Sequence, residues 1–168
     1  MAQVDYFLKL TDIEGESEDA KHKKEIQLIS WSWGESNTGA HSTAGSGGGA
    51  GKVSMHDFNF VMHTNKASPK LLLACASGDH IKEGVLTCRK SGGNTKGPQE
   101  YLKVTMGDVF VSSFQTGGTS DDTAIPVDQV SLNFSKIKWQ YAVQKEDGSL
   151  DPPITALWNL KLNKKVWG

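Results

Sequence analysis

Histidine and cysteine are the side chains of this chain best suited to chemistry near neutral pH. The sequence contains five histidines and two cysteines: His22, His41, His56, His63, His80, Cys75 and Cys88. Zinc sites bring close ligand pairs and a fourth ligand, yet neither an H-E-x-x-H pattern nor a tight H-x-H pair occurs. Cys75, His80 and Cys88 could be grouped as ligands, but no close pair supports the grouping. We therefore predict no metal site, and we expect histidines on the surface or in hydrogen-bond networks.

No arrangement typical of a catalytic nucleophile or a nucleotide site is present. A G-x-S-x-G elbow is absent, and Cys75 lies in an apolar segment, where cysteine is ordinarily inert packing. Residues 45–50 match the spacing G-x-G-x-x-A, but a predicted strand follows where a phosphate-binding helix should begin. The sequence predicts no enzyme, no cofactor and no disulfide between Cys75 and Cys88. An enzyme whose site is assembled from distant residues remains an alternative.

Composition excludes two further classes of function. The chain has 18 Lys and Arg against 19 Asp and Glu, a net charge of -1. It thus lacks the basic footprint of a nucleic-acid binder and the polybasic anchor of a membrane-surface protein. Its N-terminus lacks the basic start and apolar run of a signal peptide, and its apolar runs are too short to span a bilayer. We expect one domain over residues 1–168, in a reducing compartment.

Apolar residues that recur with a period of two dominate the chain and predict a mainly β fold. In the first strand Val4, Tyr6, Leu8 and Leu10 share one face. Further strands are predicted at 26–33, 53–63, 84–90, 100–114, 127–144 and 154–163. Their regular spacing favours an antiparallel β-barrel, that is, two packed sheets.

One short flanking helix is predicted over residues 68–78. Ser68 is a natural N-cap, Pro69 suits the first helical position, and Gly78 suits a left-handed C-terminal stop. Two strands change the face of their apolar residues partway along. These changes predict β-bulges near His56–Asp57 and Ser135–Lys136.

Two segments lack any apolar period. Thr38–Lys52 is an extended loop rich in glycine and small side chains, and a loop of this length is usually functional or disordered. Glu14–Lys24 mixes acids and bases and predicts a solvated loop, in which Ser17 and Asp19 make local turn bonds.

Five tryptophans are more than a lone barrel of this size needs. Tryptophan is seldom fully buried, and aromatic residues are enriched at subunit interfaces. We predict that four of them lie in the core or in a homo-oligomer interface: Trp31, Trp33, Trp139 and Trp158. A lectin-like β-sandwich that binds carbohydrate through exposed tryptophans is the alternative.

Short motifs along nearly the whole chain resemble one known family. Within Gly15–Ile26, the residues Ser17, Asp19, His22 and Glu25 stand at characteristic spacing. The later motifs are Ser30-Trp31-Ser32-Trp33-Gly34, Gly51-Lys52-Val53, Ser68-Pro69-x-Leu71, Ala74-Cys75-x-Ser77-Gly78, Arg89-Lys90-x-Gly92-Gly93, Glu100-Tyr101-Leu102, Val109-x-Val111-Ser112-Ser113 and Val130-x-Leu132-Asn133-Phe134. Together they resemble the haemolysin-coregulated proteins (Hcp) of bacterial type VI secretion. The tail, residues 164–168, is the least characteristic part.

The resemblance implies a tight β-barrel with one flanking helix, assembled as a homohexameric ring. Rings of the family stack into the inner tube of a contractile machine, with a surrounding sheath, a spike protein at the tip and effectors in the lumen. It also implies a structural, chaperone-like protein that is cytoplasmic before firing and is secreted without a cleaved signal. For the Gly-rich loop it implies contacts between stacked rings, by His41, Gly45, Gly47, Gly48, Gly49, Gly51 and Lys52.

Alternation along the second predicted strand gives a hypothesis about the lumen. Ile29, Trp31 and Trp33 are expected on one face, and Ser30 and Ser32 on the other. The large apolar groups must be buried, so the serine face is expected to be exposed to water. In a ring, we predict that Ser32, with Ser30 as support, faces the lumen and contacts effectors. An ordinary solvent-facing serine, or one covered by a partner strand, is the alternative.

Overall fold

This computed structural model describes residues 4–39, 52–92, 97–120 and 124–168, and its strands and helix lie within them. In chain order the elements are β1 (Val4–Leu10), β2 (Ile26–Gln27), β3 (Ser30–Ser32), β4 (Glu35–Asn37), β5 (Val53–Met55), β6 (Phe58–His63), α1 (Ser68–Ser77), β7 (His80–Ser91), β8 (Pro98–Gly117), β9 (Val127–Asn133), β10 (Lys136–Tyr141) and β11 (Ile154–Asn159). Most of the Gly-rich loop, residues 40–51, lies outside the described residues.

Nine of these strands form one antiparallel sheet. Its main path is β2-β1-β7-β8-β9-β6-β3, while β10 pairs with β8 and β11 pairs with β10. Strands β4 and β5 pair only with each other among the described residues. The predicted mainly β, antiparallel fold with one short helix is confirmed.

The two ends of the main path, β2 and β3, belong to one continuous segment that we call the seam (residues 26–32). The Leu28 amide donates to the Tyr6 carbonyl of β1 at 2.9 Å, and the next amide, of Ile29, donates to the Val61 carbonyl of β6 at 2.8 Å. No ladder joins β2 to β3 in the described part of the chain. The sheet is therefore not closed into a barrel by strand pairing. The seam instead connects the two ends of the main path covalently, because it contains both β2 and β3.

The β-bulge predicted near His56–Asp57 is confirmed, because Ser32 pairs with Asn59 whereas Glu35 pairs with Met55, so three residues on one strand lie opposite two on the other. The bulge predicted near Ser135–Lys136 is wrong, because the register against β8 does not shift there. On either side of His56–Asp57 the chain leaves β5, which pairs with β4, and enters β6, which pairs with β3 and β9. Around Ser135 it leaves β9 and enters β10, which pairs with β8 and β11. The extra residue at His56–Asp57 accounts for the change of face there, whereas at Ser135 the chain keeps β8 as a partner and exchanges β6 for β11 on its other side. Further register shifts of the sheet lie between Cys88 and Arg89 and between Val111 and Ser113.

Helix α1 begins and ends where the sequence predicts, but its N-cap is a different residue. Pro69 occupies the first turn, and Gly78 is left-handed with φ 72° and donates its amide to the Ala74 carbonyl at 3.0 Å. Ala67 is the N-cap, so the prediction of Ser68 for that position is wrong. The Ser68 hydroxyl donates instead to the buried carboxylate of Asp128 at 2.5 Å. A buried carboxylate without hydrogen-bond donors costs more free energy than an uncapped helix N-terminus. The Ser68 hydroxyl therefore donates to Asp128 and does not cap the helix.

Inward-facing side chains of the long strands form one core. Phe58, Phe60, Leu86 and Met106 are all within 1% of complete burial, and Leu71 attaches α1 to the same cluster. Truncating one of these phenylalanines to alanine would cost about 3–5 kcal/mol. This rigid layer fixes the outward-facing residues of the same strands.

Candidate functional site: an uncharged sheet face and an aromatic groove

Strand β3 presents the two serines that the sequence analysis selected. Ser30 and Ser32 are exposed, and Trp31 between them is half-buried against the core. The Trp31 ring lies 6.0 Å from the ring of Phe58 and 6.1 Å from that of Trp139. The opposite orientations of the serines and Trp31 agree with the predicted alternation.

Ile29 departs from that alternation. It was expected on the tryptophan face, but it is 47% exposed, whereas the preceding Leu28 is buried. The backbone passes from β1 to β6 between these two residues, and the change of partner shifts the phase. The expectation that Ile29 is buried beside Trp31 is therefore wrong.

The serine face continues without charge across three more strands. Because directly opposite residues of an antiparallel pair share a face, the strand registers define its rows. One row is Ser32, Asn59, Ser131 and Ser113, and the next is Ser30, Val61, Gln129 and Gln115. We call these eight positions the neutral face. None carries a lysine, arginine, aspartate or glutamate, and each is at least partly exposed.

Hydrogen bonds hold part of the neutral face in place. The Ser131 hydroxyl donates to the Asn59 side-chain carbonyl at 2.5 Å, and the Asn59 amide donates to the Asp57 backbone carbonyl at 3.1 Å. At the border, the Asp57 carboxylate accepts from the Ser112 hydroxyl at 2.6 Å and from the Asn133 amide at 3.0 Å. The Asp57 carboxylate thus accepts from neighbouring donors, and the face offers hydroxyl and amide groups.

Three predicted interface tryptophans line a groove of about 1040 Å³. Trp33 lies on its β4–β5 side, while Trp139 and Trp158 lie on its β10–β11 side. The rings of Trp33 and Trp139 are 6.0 Å apart. Trp31, Trp33, Trp139 and Trp158 are all half-buried, so none is a fully buried core residue or an open carbohydrate platform. Lys52, the C-terminal residue of the Gly-rich loop, lies at the groove.

The predicted loop Glu14–Lys24 is mostly exposed, as expected, but it contributes His22 to a buried polar cluster. His22 is 6% exposed, and its ring nitrogens lie 2.8 Å from a Glu25 carboxylate oxygen and 2.7 Å from one of Glu100. The ring stacks on Phe7 with centroids 4.5 Å apart. The predicted local turn bonds are present, since the Asp19 amide donates to the Ser17 hydroxyl at 3.3 Å. Of this loop only Gly15, Ser17 and His22 are buried, and Glu100 on β8 is the distant partner of His22.

Arg89 is the second centre of this cluster. Its terminal nitrogens donate to Asp19 at 3.0 and 2.7 Å and to Asp5 at 3.0 Å, and its guanidinium lies over the Phe7 ring. Hydrogen bonding to Arg89 lowers the pKa of Asp19 to about 2. The sequence signal was the shared motif in which Asp19 and His22 stand; their partners could not be deduced from spacing.

The other histidines that the structure describes do not assemble a metal site. His56, His63 and His80 are exposed, and the His80 Nδ1 lies 2.6 Å from an Asp108 carboxylate oxygen. Hydrogen bonds to Asp108 from Lys161, first, and from His80 lower its pKa to about 2. No group of three potential ligands occurs within the described ranges. His41 lies outside them.

No helix in the described part of the chain is long and apolar enough to cross a membrane.

Comparisons with known proteins agree on one family. Residues 7–141 match the family model described as "Type VI secretion system effector, Hcp". The chain is 42% identical to "Protein hcp1" of Pseudomonas aeruginosa over 161 residues, 95% of this chain and 97% of that protein. It resembles the crystal structure of Hcp1 from Salmonella typhimurium with a TM-score of 0.77 at 37% identity, covering 99% and 100% of the two chains. A structure of a type six secretion system protein aligns with a TM-score of 0.88 at 27% identity, covering 98% and 100%.

Proposed function

Because this chain belongs to the Hcp family of type VI secretion proteins, we propose that it is a structural subunit of the secretion tube. Six copies form a ring, rings stack into the inner tube, and effectors travel in the lumen. The protein acts by assembly and contact, without catalysis. It is cytoplasmic before firing and leaves the cell with the tube, without a cleaved signal peptide.

The neutral face is the observation that carries this proposal. Surfaces that face bulk solvent ordinarily carry about 25–35% charged residues, because charge keeps proteins soluble. Eight neighbouring positions on four strands without a charge depart from that pattern. Around a sixfold axis each position is repeated six times. A wall of hydroxyl and amide groups contacts effectors of either charge without holding them electrostatically.

The partners of the proposed tube are copies of this chain, a contractile sheath, a spike protein at the tip and the secreted effectors. Stacking contacts between rings are assigned to the Gly-rich loop, at His41, Gly45, Gly47, Gly48, Gly49, Gly51 and Lys52. Removing residues 45–51 should leave rings intact and abolish tubes and secretion. Secretion at the wild-type level after that deletion contradicts the loop assignment.

The lumen assignment is tested by Ser32→Gln, with Ser77→Gln at an exposed helix residue as the matched control. Light scattering should give six times the 18.2 kDa of the chain for both variants. Only Ser32→Gln should change the amount of co-purifying effector, because it alone adds bulk to the lumen. A Ser32→Gln chain that fails to form rings places Ser32 in an interface. Unchanged effector levels make it ordinary surface, and either result rejects the lumen assignment.

A further inference from the structure

His22 joins two carboxylates that lie far apart in the sequence. Its Nδ1 is 2.8 Å from an oxygen of Glu25, just before β2, and its Nε2 is 2.7 Å from an oxygen of Glu100 on β8. We call these three residues the histidine clamp. Glu100 lies at the register shift between β7 and β8, where Tyr101 is the extra residue. Because the ladder is disrupted at such a bulge, the contact with His22 helps to hold this end of β8.

The number of protons on the imidazole ring decides whether both contacts of the clamp are attractive. An ionised carboxylate only accepts hydrogen bonds, and a neutral imidazole donates from one nitrogen while the other carries a lone pair. Between two ionised carboxylates, a neutral ring would direct that lone pair at a carboxylate oxygen. The imidazolium has an N–H at both nitrogens and donates to Glu25 and Glu100 at the same time. Both distances are in the range of charge-assisted hydrogen bonds.

Water has little access to the ring, so solvent cannot relieve a mismatch there. His22 is 6% exposed, and its ring stacks on that of the buried Phe7 with centroids 4.5 Å apart and planes at 8°. A polar atom without a suitable partner costs more free energy in such a position than in water. The enclosure therefore makes the stability of the clamp depend on the proton.

The charged groups around the ring favour the cation. Glu25 and Glu100 are the ones that contact it among the described residues. The Arg89 guanidinium lies over the same phenylalanine ring, but Asp5 and Asp19 pair with its charge. The other charged residues line the groove beside the clamp: Lys9 on β1, Lys21 in the loop, Glu83 on β7 and Lys103 on β8. These three lysines are exposed, so solvent screens their repulsion more strongly than it screens the carboxylate contacts.

We propose that the histidine clamp is a proton-dependent device, in which His22 holds Glu25 and Glu100 as an imidazolium and releases Glu100 when its Nε2 proton is lost to solvent at higher pH. Glu100 is the partner that is released because its side chain is 43% exposed, against 14% for Glu25. The remaining Nδ1–H keeps its bond to Glu25. Each contact is made within one chain, so the device is present in a single subunit and in an assembled ring alike.

Nuclear magnetic resonance of protein containing isotope-labelled histidine reads the ring protons directly. Correlation from the backbone assigns the ring signals of His22, so this measurement needs no variant. At pH 7 both ring nitrogens of His22 should give the chemical shift of a protonated nitrogen. A spectrum in which one of them is bare at pH 7 overturns the proposal.

Glu100→Gln tests the consequence for stability. The introduced amide can donate to a ring nitrogen, so a neutral His22 satisfies both partners in this variant. Between about pH 6 and pH 9 the urea midpoint of the wild type should fall relative to that of Glu100→Gln. The reason is that the folded wild type keeps a proton that a histidine in the unfolded chain releases at about pH 6.5, so stability falls as the pH rises.

Glu83→Gln is the matched control, because it removes an exposed carboxylate that lines the same groove without touching His22. It should keep the pH dependence of the wild type. Protein concentration is the same in all samples, since assembly adds to apparent stability. Equal pH dependence in the wild type and Glu100→Gln, or its loss in Glu83→Gln as well, rejects the device.

Discussion

The Asp19–Arg89 ion pair provides a stability test with a defined pH dependence. Arg89 is 7% exposed, and Asp19 accepts hydrogen bonds from both of its terminal nitrogens, at 3.0 and 2.7 Å. Asp19→Asn keeps the size of the side chain and removes its charge. The variant leaves the buried guanidinium with the Asp5 carboxylate as its remaining charged partner among the described residues.

The magnitude follows from the pKa of Asp19. Hydrogen bonding to Arg89 lowers that pKa from 3.8 to about 2, and one unit corresponds to about 1.36 kcal/mol. The Asp19 side chain is 26% exposed, so solvent screening reduces the contribution to about 1–2 kcal/mol. Because the folded-state pKa is lowered, the stabilisation is present above about pH 4 and is lost as the pH falls towards 2.

Urea unfolding of wild type and Asp19→Asn across this range measures the effect. At pH 7 the variant should be less stable by about 1–2 kcal/mol, and the two free energies of unfolding should converge below pH 4. Protein concentration is held fixed because assembly adds to apparent stability. Glu18→Gln, at the exposed neighbouring position, should leave the free energy unchanged. Equal stabilities at pH 7, or a difference that does not depend on pH, would refute the reasoning.

Three further outcomes are expected. A thiol reagent at pH 8 should label only Cys75 in the native protein, because burial raises the pKa of Cys88 to about 12. In urea both cysteines should be labelled, and mass spectrometry counts the labels. Gly15→Ala should lower stability by about 1–3 kcal/mol in urea unfolding, because its Cβ would overlap the Glu25 backbone carbonyl. Ser68→Ala should lower the thermal midpoint through a loss of about 1–3 kcal/mol, because a buried carboxylate loses a donor.

Local pattern was sufficient where a strand keeps one set of partners. The first strand was expected from the alternation of Val4 to Leu10, and the structure has it with those bounds. The orientation of Ser32 followed from the same period, which depends on backbone geometry alone. At Ile29 the chain changes its partner strand from β1 to β6, and the period-two alternation of buried residues is interrupted there. The residues next to Ile29 in the sequence do not indicate this change of partner.

Burial of charged residues could not be deduced from local pattern. Asp19 and His22 stand in a polar segment, and they become half-buried and buried respectively because Arg89 and Glu100 reach them from strands far along the sequence. Likewise, the number of tryptophans indicated a core or an interface, but only the structure shows that Trp33, Trp139 and Trp158 line one groove. Sequence predicts the faces of single strands, whereas the site depends on which strands meet.

The seam also bears on the order in which the fold assembles. Its two adjacent amides bond to Tyr6 and Val61, so its native contacts require both β1 and β6 to be in place. Joining two such distant ladders carries a loop-closure penalty, and we expect the seam to form after the rate-limiting step. Substitutions such as Leu28→Ala should then accelerate unfolding in stopped-flow experiments and leave the folding rate unchanged. The seam would thus act as a kinetic latch, which determines how long a folded subunit lasts without affecting how quickly it forms.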